Sequence, residues 1–97
     1  MRFVRLTVHG RVQGVGFRAF VEHEAAQRRL EGWVRNRRDG SVETLIAGET
    51  RVVDGMIEAC RRGPASARVD RMDVEEAEVK DLAPREPGER FSVLQTA

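Results

Sequence analysis

The fold is decided by one stretch of the sequence, Gly10-Arg11-Val12-Gln13-Gly14-Val15-Gly16-Phe17-Arg18, which joins a predicted strand to a predicted helix. Before it, the chain from Phe3 to His9 alternates apolar and polar residues, the pattern of a half-buried strand. After it, the run from Arg18 to about Arg29 favours a helix with a narrow apolar stripe at four-residue spacing. The connection carries three glycines and two arginines, so its backbone can approach a ligand closely.

This connection has the composition of a phosphate-binding loop. Gly14 and Gly16 can adopt positive φ and have no Cβ, so successive N–H groups can turn towards an anion. The first turn of the following helix adds unpaired N–H groups and the positive end of the helix dipole. Arg18 adds a permanent charge and a planar set of donors. The loop matches neither GxxxxGK[ST] nor GxGxxG, and taken alone it is equally consistent with a plain turn.

The rest of the chain continues the alternation of strands and helices. Asp39-Gly40 lies between two alternating runs and predicts a hairpin, and a slip in the alternation between Val69 and Met72 predicts a β-bulge. Trp33 is expected to pack in or beside the core. The remaining predicted elements are a strand over Leu30 to Asn36, a strand over Ser41 to Ala47, a helix capped by Thr50 and stopped by Gly63-Pro64, a strand within Ala67 to Val79, and a short strand around Phe91 and Val93.

This order of elements predicts an α+β fold. It is the split βαβ arrangement, βαββαβ with a short C-terminal strand, in which an antiparallel-rich sheet carries two helices on one face. Residues 1–97 give room for one compact domain with a modest two-layer core. Fold alone does not identify a function, because this architecture hosts unrelated activities.

Composition narrows the function classes. Hydrophobic residues make up 40% and charged residues 34% of the chain, and no apolar run is long enough for a membrane span or a secretion signal. We therefore expect a cytoplasmic protein. One cysteine, Cys60, and two histidines do not form a metal-ligand set.

Charge and aromatic content argue against nucleic-acid binding. The 17 basic and 16 acidic residues nearly cancel, so the chain has no overall basic field. The four phenylalanines and one tryptophan fall in positions expected to face the core, which disfavours an RNA-binding sheet. Five arginines in or beside the two glycine-bearing segments are nevertheless predicted to form one local positive patch: Arg11, Arg18, Arg35, Arg37 and Arg38.

A second segment, Gly32-Trp33-Val34-Arg35-Asn36-Arg37-Arg38-Asp39-Gly40-Ser41-Val42-Glu43, supplies a resemblance. GRVQGVGFR followed by GWVRNRRDGSVE resembles the two signature segments of acylphosphatases in order and spacing. The resemblance covers nearly the whole chain and implies a ferredoxin-like sandwich with a fifth strand. It also implies hydrolysis of acyl phosphates to a carboxylate and inorganic phosphate. We further expect a monomer that needs no metal or cofactor.

The resemblance carries over residue by residue. The family's phosphate-binding arginine falls on Arg18, and its water-orienting asparagine falls on Asn36. The amides of Val15, Gly16, Phe17 and Arg18 would form the cradle for the phosphoryl group. The chain departs from the family at Arg28-Arg29, where a Leu-Gly pair is usual, so the favoured left-handed residue after the helix is lost.

Besides the RNA binding disfavoured above, a binding module is the other class of function that remains open at this point. The same loop could bind phosphate, sulfate or a carboxylate without turning it over. Acylphosphatase-like segments also occur at the front of larger proteins that handle carbamoyl phosphate in hydrogenase maturation. Release of phosphate from acetyl phosphate would separate an enzyme from a binding module.

Overall fold

A computed structural model describes all residues, 1–97, as a five-stranded sheet with two α-helices. The strands lie in the order β4-β1-β3-β2-β5, and every neighbouring pair is antiparallel except β2 with β5. The predicted α+β ferredoxin-like fold is confirmed. The elements are β1 (Arg2–Arg11), α1 (Phe17–Gln27), β2 (Glu31–Asn36), β3 (Val42–Gly48), α2 (Thr50–Arg62), β4 (Arg68–Glu76), a 3₁₀ helix (Val79–Leu82) and β5 (Phe91–Val93).

The main core lies between the sheet and the two helices. Val4, Leu6 and Val8 of β1 are fully buried, as their alternation predicts, and they pack in one cluster with Val21 of α1 and Met56 of α2. Burying each such side chain contributes about 1.5–3 kcal/mol. This core fixes the direction in which α1 leaves the end of β1. Neither helix is long and apolar enough to cross a membrane.

A smaller cluster covers the opposite face of the sheet. Trp33 is 1% exposed and packs with Leu45, Ala47 and Leu82. Its indole Nε1–H donates a 2.8 Å hydrogen bond to the carbonyl oxygen of Asp81. The predicted packing of Trp33 is confirmed, but the 3₁₀ helix that supplies Leu82 was not predicted.

The ends of both α-helices differ from the predictions. Helix α1 ends at Gln27, and the next two residues close it through N–H bonds to Ala25 and Ala26 carbonyls. Arg29 adopts φ 54°, so the left-handed turn persists without glycine. At α2, Thr50 was predicted to be the N-cap, which is wrong. Glu49 is the N-cap, and its side chain makes no capping hydrogen bond.

The predicted bulge in β4 is confirmed. His9 pairs with Arg71 while its neighbour Gly10 pairs with Val69, so Asp70 is an extra residue with no partner on β1. The bulge lies next to the β1–α1 connection, at the end of the sheet that carries the cleft described next.

Candidate active site

The β1–α1 connection leaves its backbone open to solvent. Gly14 has φ 73° and Gly16 has φ 82°, both in the left-handed region that favours glycine. A Cβ at either position would meet no heavy atom within 4 Å. The space beside these two residues is therefore free, and a side chain there would project into it.

The same stretch presents a run of unused donors. None of the backbone N–H groups of residues 14–19 donates to an acceptor in the protein, and the first that does is Phe20, to the Gly16 carbonyl at 3.0 Å. Gly16 is the N-cap of α1 and has no side chain to cap it. Consecutive free donors and the positive end of a helix together favour an anion.

A cleft of about 330 Å³ opens beside this loop. Of the residues predicted for the site, Gly16, Phe17, Arg18 and Asn36 line it, and Val15 does not. The Val15 side chain instead packs against the main core, and its carbonyl accepts a 2.8 Å hydrogen bond from Ser66 Oγ. The complete lining consists of Val12, Gly14, Gly16, Phe17, Arg18, Ala19, Glu22, Asn36 and Val93.

Arg18 is the second residue of α1 and is partly buried at this cleft. The ion pairs of the nearby arginines involve Glu24 and Glu43, and none involves Arg18. Its guanidinium makes no hydrogen bond within the protein. Arg18 is thus a cation whose donors are all available to a bound anion.

Asn36 reaches the same cleft from β2. It is the last residue of the strand, and its carbonyl accepts a 3.0 Å bond from the Ala97 N–H. The Arg38 N–H donates in turn to the Ala97 carbonyl at 3.0 Å. The C-terminal tail therefore fixes the backbone at Asn36 and just after it, while the Asn36 carboxamide is left without a protein partner.

Gln13 joins the two halves of the site. Its Nε2 donates to the Arg37 carbonyl at 2.7 Å and to the Ser41 carbonyl at 2.8 Å, so the loop is bonded to the β2–β3 hairpin that carries Asn36. Sequence reasoning missed this role, because the partners lie 24 and 28 residues away. A lone polar residue among apolar and glycine neighbours was the only available signal.

The comparisons with known proteins agree with this geometry. The sequence model of one family, described as Acylphosphatase, matches residues 4–92, which include the loop, every lining residue of the cleft except Val93, and all strands except parts of β1 and β5. The chain belongs to the acylphosphatase family. The resemblance found in the sequence is thereby confirmed, and the protein is an enzyme of that family.

Individual relatives support the assignment over nearly the full chain. An acylphosphatase of Rhodopseudomonas palustris (strain BisB18) is 60% identical over 92 residues, which are 95% of this chain and 93% of that protein. The crystal structure of acylphosphatase from Bacillus subtilis superimposes with a TM-score of 0.83 at 41% identity, covering 97% of this chain and 99% of that one. Full-length HypF in a phosphate- and nucleotide-bound form gives a TM-score of 0.83 at 27% identity, over 98% of this chain and 12% of that one.

The hairpin of this family member turns at Asp39-Gly40, as predicted. Asp39 Oδ1 accepts bonds from Ser41 N–H at 2.9 Å and Ser41 Oγ–H at 2.6 Å. These two bonds, with a smaller contribution from Arg37, lower the pKa of Asp39. An ionised Asp39 thus holds the turn that follows Asn36.

The predicted positive patch is wrong for two of its arginines. Arg35 and Arg37 lie on the sheet face away from the cleft, where Glu43 Oε1 receives Arg35 Nε at 2.8 Å and Arg37 Nη1 at 3.0 Å. Arg5 Nε approaches Glu43 Oε2 at 3.1 Å, although its angle is too poor for a hydrogen bond. The Glu43 side chain is 6% exposed. These four residues form a charge cluster, which we call the Glu43 cluster, and Arg5 also pairs with Asp81 Oδ1 at 3.3 Å.

The Glu43 cluster also contacts the smaller apolar cluster that contains Trp33. The Arg35 guanidinium carbon lies 4.7 Å from the centre of the Trp33 ring, a cation–π distance. Strand alternation explains the arrangement, since Trp33 and Arg35 project from one face of β2 while Val34 and Asn36 project from the other. Only Arg18 contributes an arginine side chain to the cleft itself.

The aromatic residues are used for packing. Phe17 and Trp33 are buried, and Phe3, Phe20 and Phe91 are partly buried against the two cores. The expectation that the aromatics serve the core is confirmed. In addition, no group of three or more His, Cys, Asp or Glu side chains is placed to hold a metal ion.

Proposed function

We propose that this acylphosphatase-family enzyme hydrolyses the carboxyl–phosphate bond of acyl phosphates in the cleft between α1 and the end of β2. The observation that carries the proposal is the presence of Arg18 and Asn36 on one cleft, beside six consecutive backbone amides without protein acceptors. One end of the cleft therefore offers cationic and amide donors, and the other offers a free carboxamide.

The donors act on the phosphoryl group. Amides of Gly16, Phe17 and Arg18 bind its non-bridging oxygens, and so does the backbone amide of Val15, which is free although the Val15 side chain packs away from the cleft. The Arg18 guanidinium adds a planar pair of charged donors. Phosphoryl transfer passes through a loose transition state, so positioning and charge stabilisation supply most of the rate enhancement. Since the loop is already bonded to the hairpin through Gln13, these donors need little rearrangement when substrate binds.

Asn36 orients the attacking water. Its carboxamide oxygen accepts a hydrogen bond from the water, whose oxygen forms the new bond to phosphorus. The bond from phosphorus to the carboxyl oxygen breaks, and its electron pair leaves on the carboxylate. A proton of the water passes to a phosphoryl oxygen, which gives inorganic phosphate.

The reaction requires neither a general acid nor a metal. A carboxylate is a good leaving group, because the parent acids have pKa values of about 4. The charge that builds on the phosphoryl oxygens is balanced by Arg18 and the helix N-terminus. This explains how a cleft with one arginine and one asparagine can suffice.

Hydrolysis of acetyl phosphate in ¹⁸O-labelled water tests the proposal. Attack on phosphorus places the label in inorganic phosphate, and mass spectrometry should find it there and not in acetate. Turnover with the label in acetate would show attack on the acyl carbon and would contradict the roles given to Arg18 and Asn36. Binding of phosphate with no turnover of any acyl phosphate would make the chain a binding module.

A further inference from the structure

Glu22 is a charged residue of the cleft that the proposed mechanism does not use. It lies on α1 four residues after Arg18, so the two side chains share one face of the helix. Glu22 is exposed and lines the cleft, and its carboxylate forms no ion pair or hydrogen bond with another side chain. No arginine holds the carboxylate in a direct ion pair, so its negative charge faces the cleft.

A second cavity continues from Glu22 along the groove between α1 and β5. It has a volume of about 360 Å³ and an apolar floor formed by Ala26, Leu30 and Phe91. Glu22 lines both cavities, so it stands where the phosphate-binding cleft passes into this groove. The remaining lining residues of the second cavity are charged: Arg29, Glu89 and Arg90.

We propose that Glu22 determines specificity by selecting acyl phosphates whose acyl group carries no negative charge. The inference rests on the proposed hydrolysis of acyl phosphates. With the phosphoryl group held by Arg18 and the loop amides, the acyl group extends towards the other walls of the cleft. Those walls include Glu22 and the apolar side chain of Val93.

Electrostatics gives the expected size of the selection. A carboxylate on the acyl group would lie within several ångströms of Glu22, in a cleft that is open to water and therefore partly screened. We expect it to lower kcat/KM by about 3- to 10-fold relative to a neutral acyl group of the same shape. Arg29 and Arg90 line the same groove and oppose this effect, and Glu89 on that groove offsets part of their charge.

Two nearly isosteric substrates isolate the charge. These are 4-carbamoylbenzoyl phosphate and 4-carboxybenzoyl phosphate, and the measured quantity is the ratio of their kcat/KM values. The wild type should favour the carbamoyl compound, Glu22→Gln should bring the ratio towards one, and Glu22→Lys should lower it further. The wild-type ratio should also fall as salt concentration rises, and the Glu22→Gln ratio should not.

A matched control lies on the other helix. Glu58 on α2 is exposed and makes only a long ion pair of 3.9 Å with Arg61, so Glu58→Gln changes the net charge equally but far from the cleft. Its ratio should equal that of the wild type. Because every variant is tested with the same two compounds, differences in their intrinsic reactivity cancel.

The outcomes separate the two proposals. An unchanged ratio in Glu22→Gln and Glu22→Lys, or an equal change in Glu58→Gln, would overturn the role of Glu22, although hydrolysis itself would stand. A wild type that cleaves neither compound and does not cleave acetyl phosphate would overturn the proposed function, and the specificity inference with it.

Discussion

Arg18 and Arg35 lie in the two signature segments of the family, yet the structure uses them in opposite ways. Arg18 has no ion pair and lines the cleft. Arg35 is bonded to Glu43 at 2.8 Å and stacks on Trp33. The comparison indicates that an arginine can bind an external anion only where its donors are not already bonded to a carboxylate of the protein.

The β2–β3 hairpin contains both situations within one strand. Asn36 faces the cleft with an unpaired carboxamide, whereas its neighbours Arg35 and Arg37 face the Glu43 cluster. The Glu43 cluster stabilises the hairpin on the sheet face opposite the cleft, so the cleft face remains free for substrate. We therefore expect substitutions on the two faces to separate activity from stability.

The largest expected effect concerns Arg18. Arg18→Ala should lower kcat/KM for acetyl phosphate by about 10²-fold or more, the scale for removing a transition-state donor, and should weaken competitive inhibition by inorganic phosphate. Arg35→Ala is the comparison variant and should change kcat/KM by less than about threefold, since its lost contacts are structural. Equal losses in both, with circular dichroism showing intact folds, would remove the distinction between the two arginines.

Asn36 should affect the rate more than binding. Asn36→Ala is expected to lower kcat by about 10²-fold and to leave KM within a few-fold of the wild type, because the carboxamide acts on water and not on the phosphoryl group. Steady-state kinetics with acetyl phosphate measures both constants. A raised KM with unchanged kcat would assign Asn36 to substrate binding instead.

Glu43 should affect stability more than activity. Glu43→Gln leaves three arginines around an uncharged amide and should reduce the free energy of unfolding by about 1–3 kcal/mol, the lower part of the range for a buried pair because the arginines are partly exposed. Urea denaturation measures the loss. Glu58→Gln, an exposed change on α2, serves as the control and should be nearly neutral. A neutral Glu43→Gln would mean that the cluster does not brace the hairpin.

Arg29 neither lines the phosphate-binding cleft nor belongs to the Glu43 cluster, and its unusual feature is its backbone conformation. Its φ of 54° disfavours a residue with a Cβ, so Arg29→Gly should stabilise the fold by about 1 kcal/mol. Arg28→Gly is the neighbouring control. It should destabilise the protein, because Arg28 has an ordinary φ of −96° and binds the Glu24 carboxylate at 2.8 Å. Thermal unfolding of both variants tests whether Arg29, where the family usually has glycine, strains the backbone of the folded protein.

The smallest effect expected is a pH dependence from the hairpin turn. Hydrogen bonds from Ser41 lower the pKa of Asp39 in the folded state, so its contribution to stability is present above the unfolded pKa of about 3.9 and is lost as pH falls through the lower folded value. Asp39→Asn should therefore lose less stability than the wild type between pH 6 and pH 3. Urea midpoints at the two pH values give the difference, and parallel losses would contradict it.

The features that could be predicted from sequence are those set by local pattern. The alternation of Val4, Leu6 and Val8 predicted β1, and the Asp39-Gly40 pair predicted the hairpin. The family motif then identified Arg18 and Asn36, which line the same cleft. Each of these depends on neighbours in sequence or on a recognised string, so no distant contact had to be known.

The features that could not be predicted depend on contacts between distant segments. The Glu43 cluster brings Arg5 to a hairpin some forty residues later, and the C-terminal tail reaches back to Asn36. The 3₁₀ helix is held by reciprocal bonds between Glu78 and Asp81, a variant of the usual capping signal. Arg35 is instructive, because the hairpin register places it opposite Glu43. The strand register alone would therefore have excluded Arg35 from the predicted positive patch.

The two hydrogen bonds from Gln13 also have a bearing on how the protein ages. Its side-chain amide faces two carbonyl oxygens and precedes Gly14, which offers no side chain to shield it from attack. Deamidation would replace the donor with a carboxylate that repels both carbonyls. Gln13→Glu would reproduce that change and should lower activity while keeping the secondary structure.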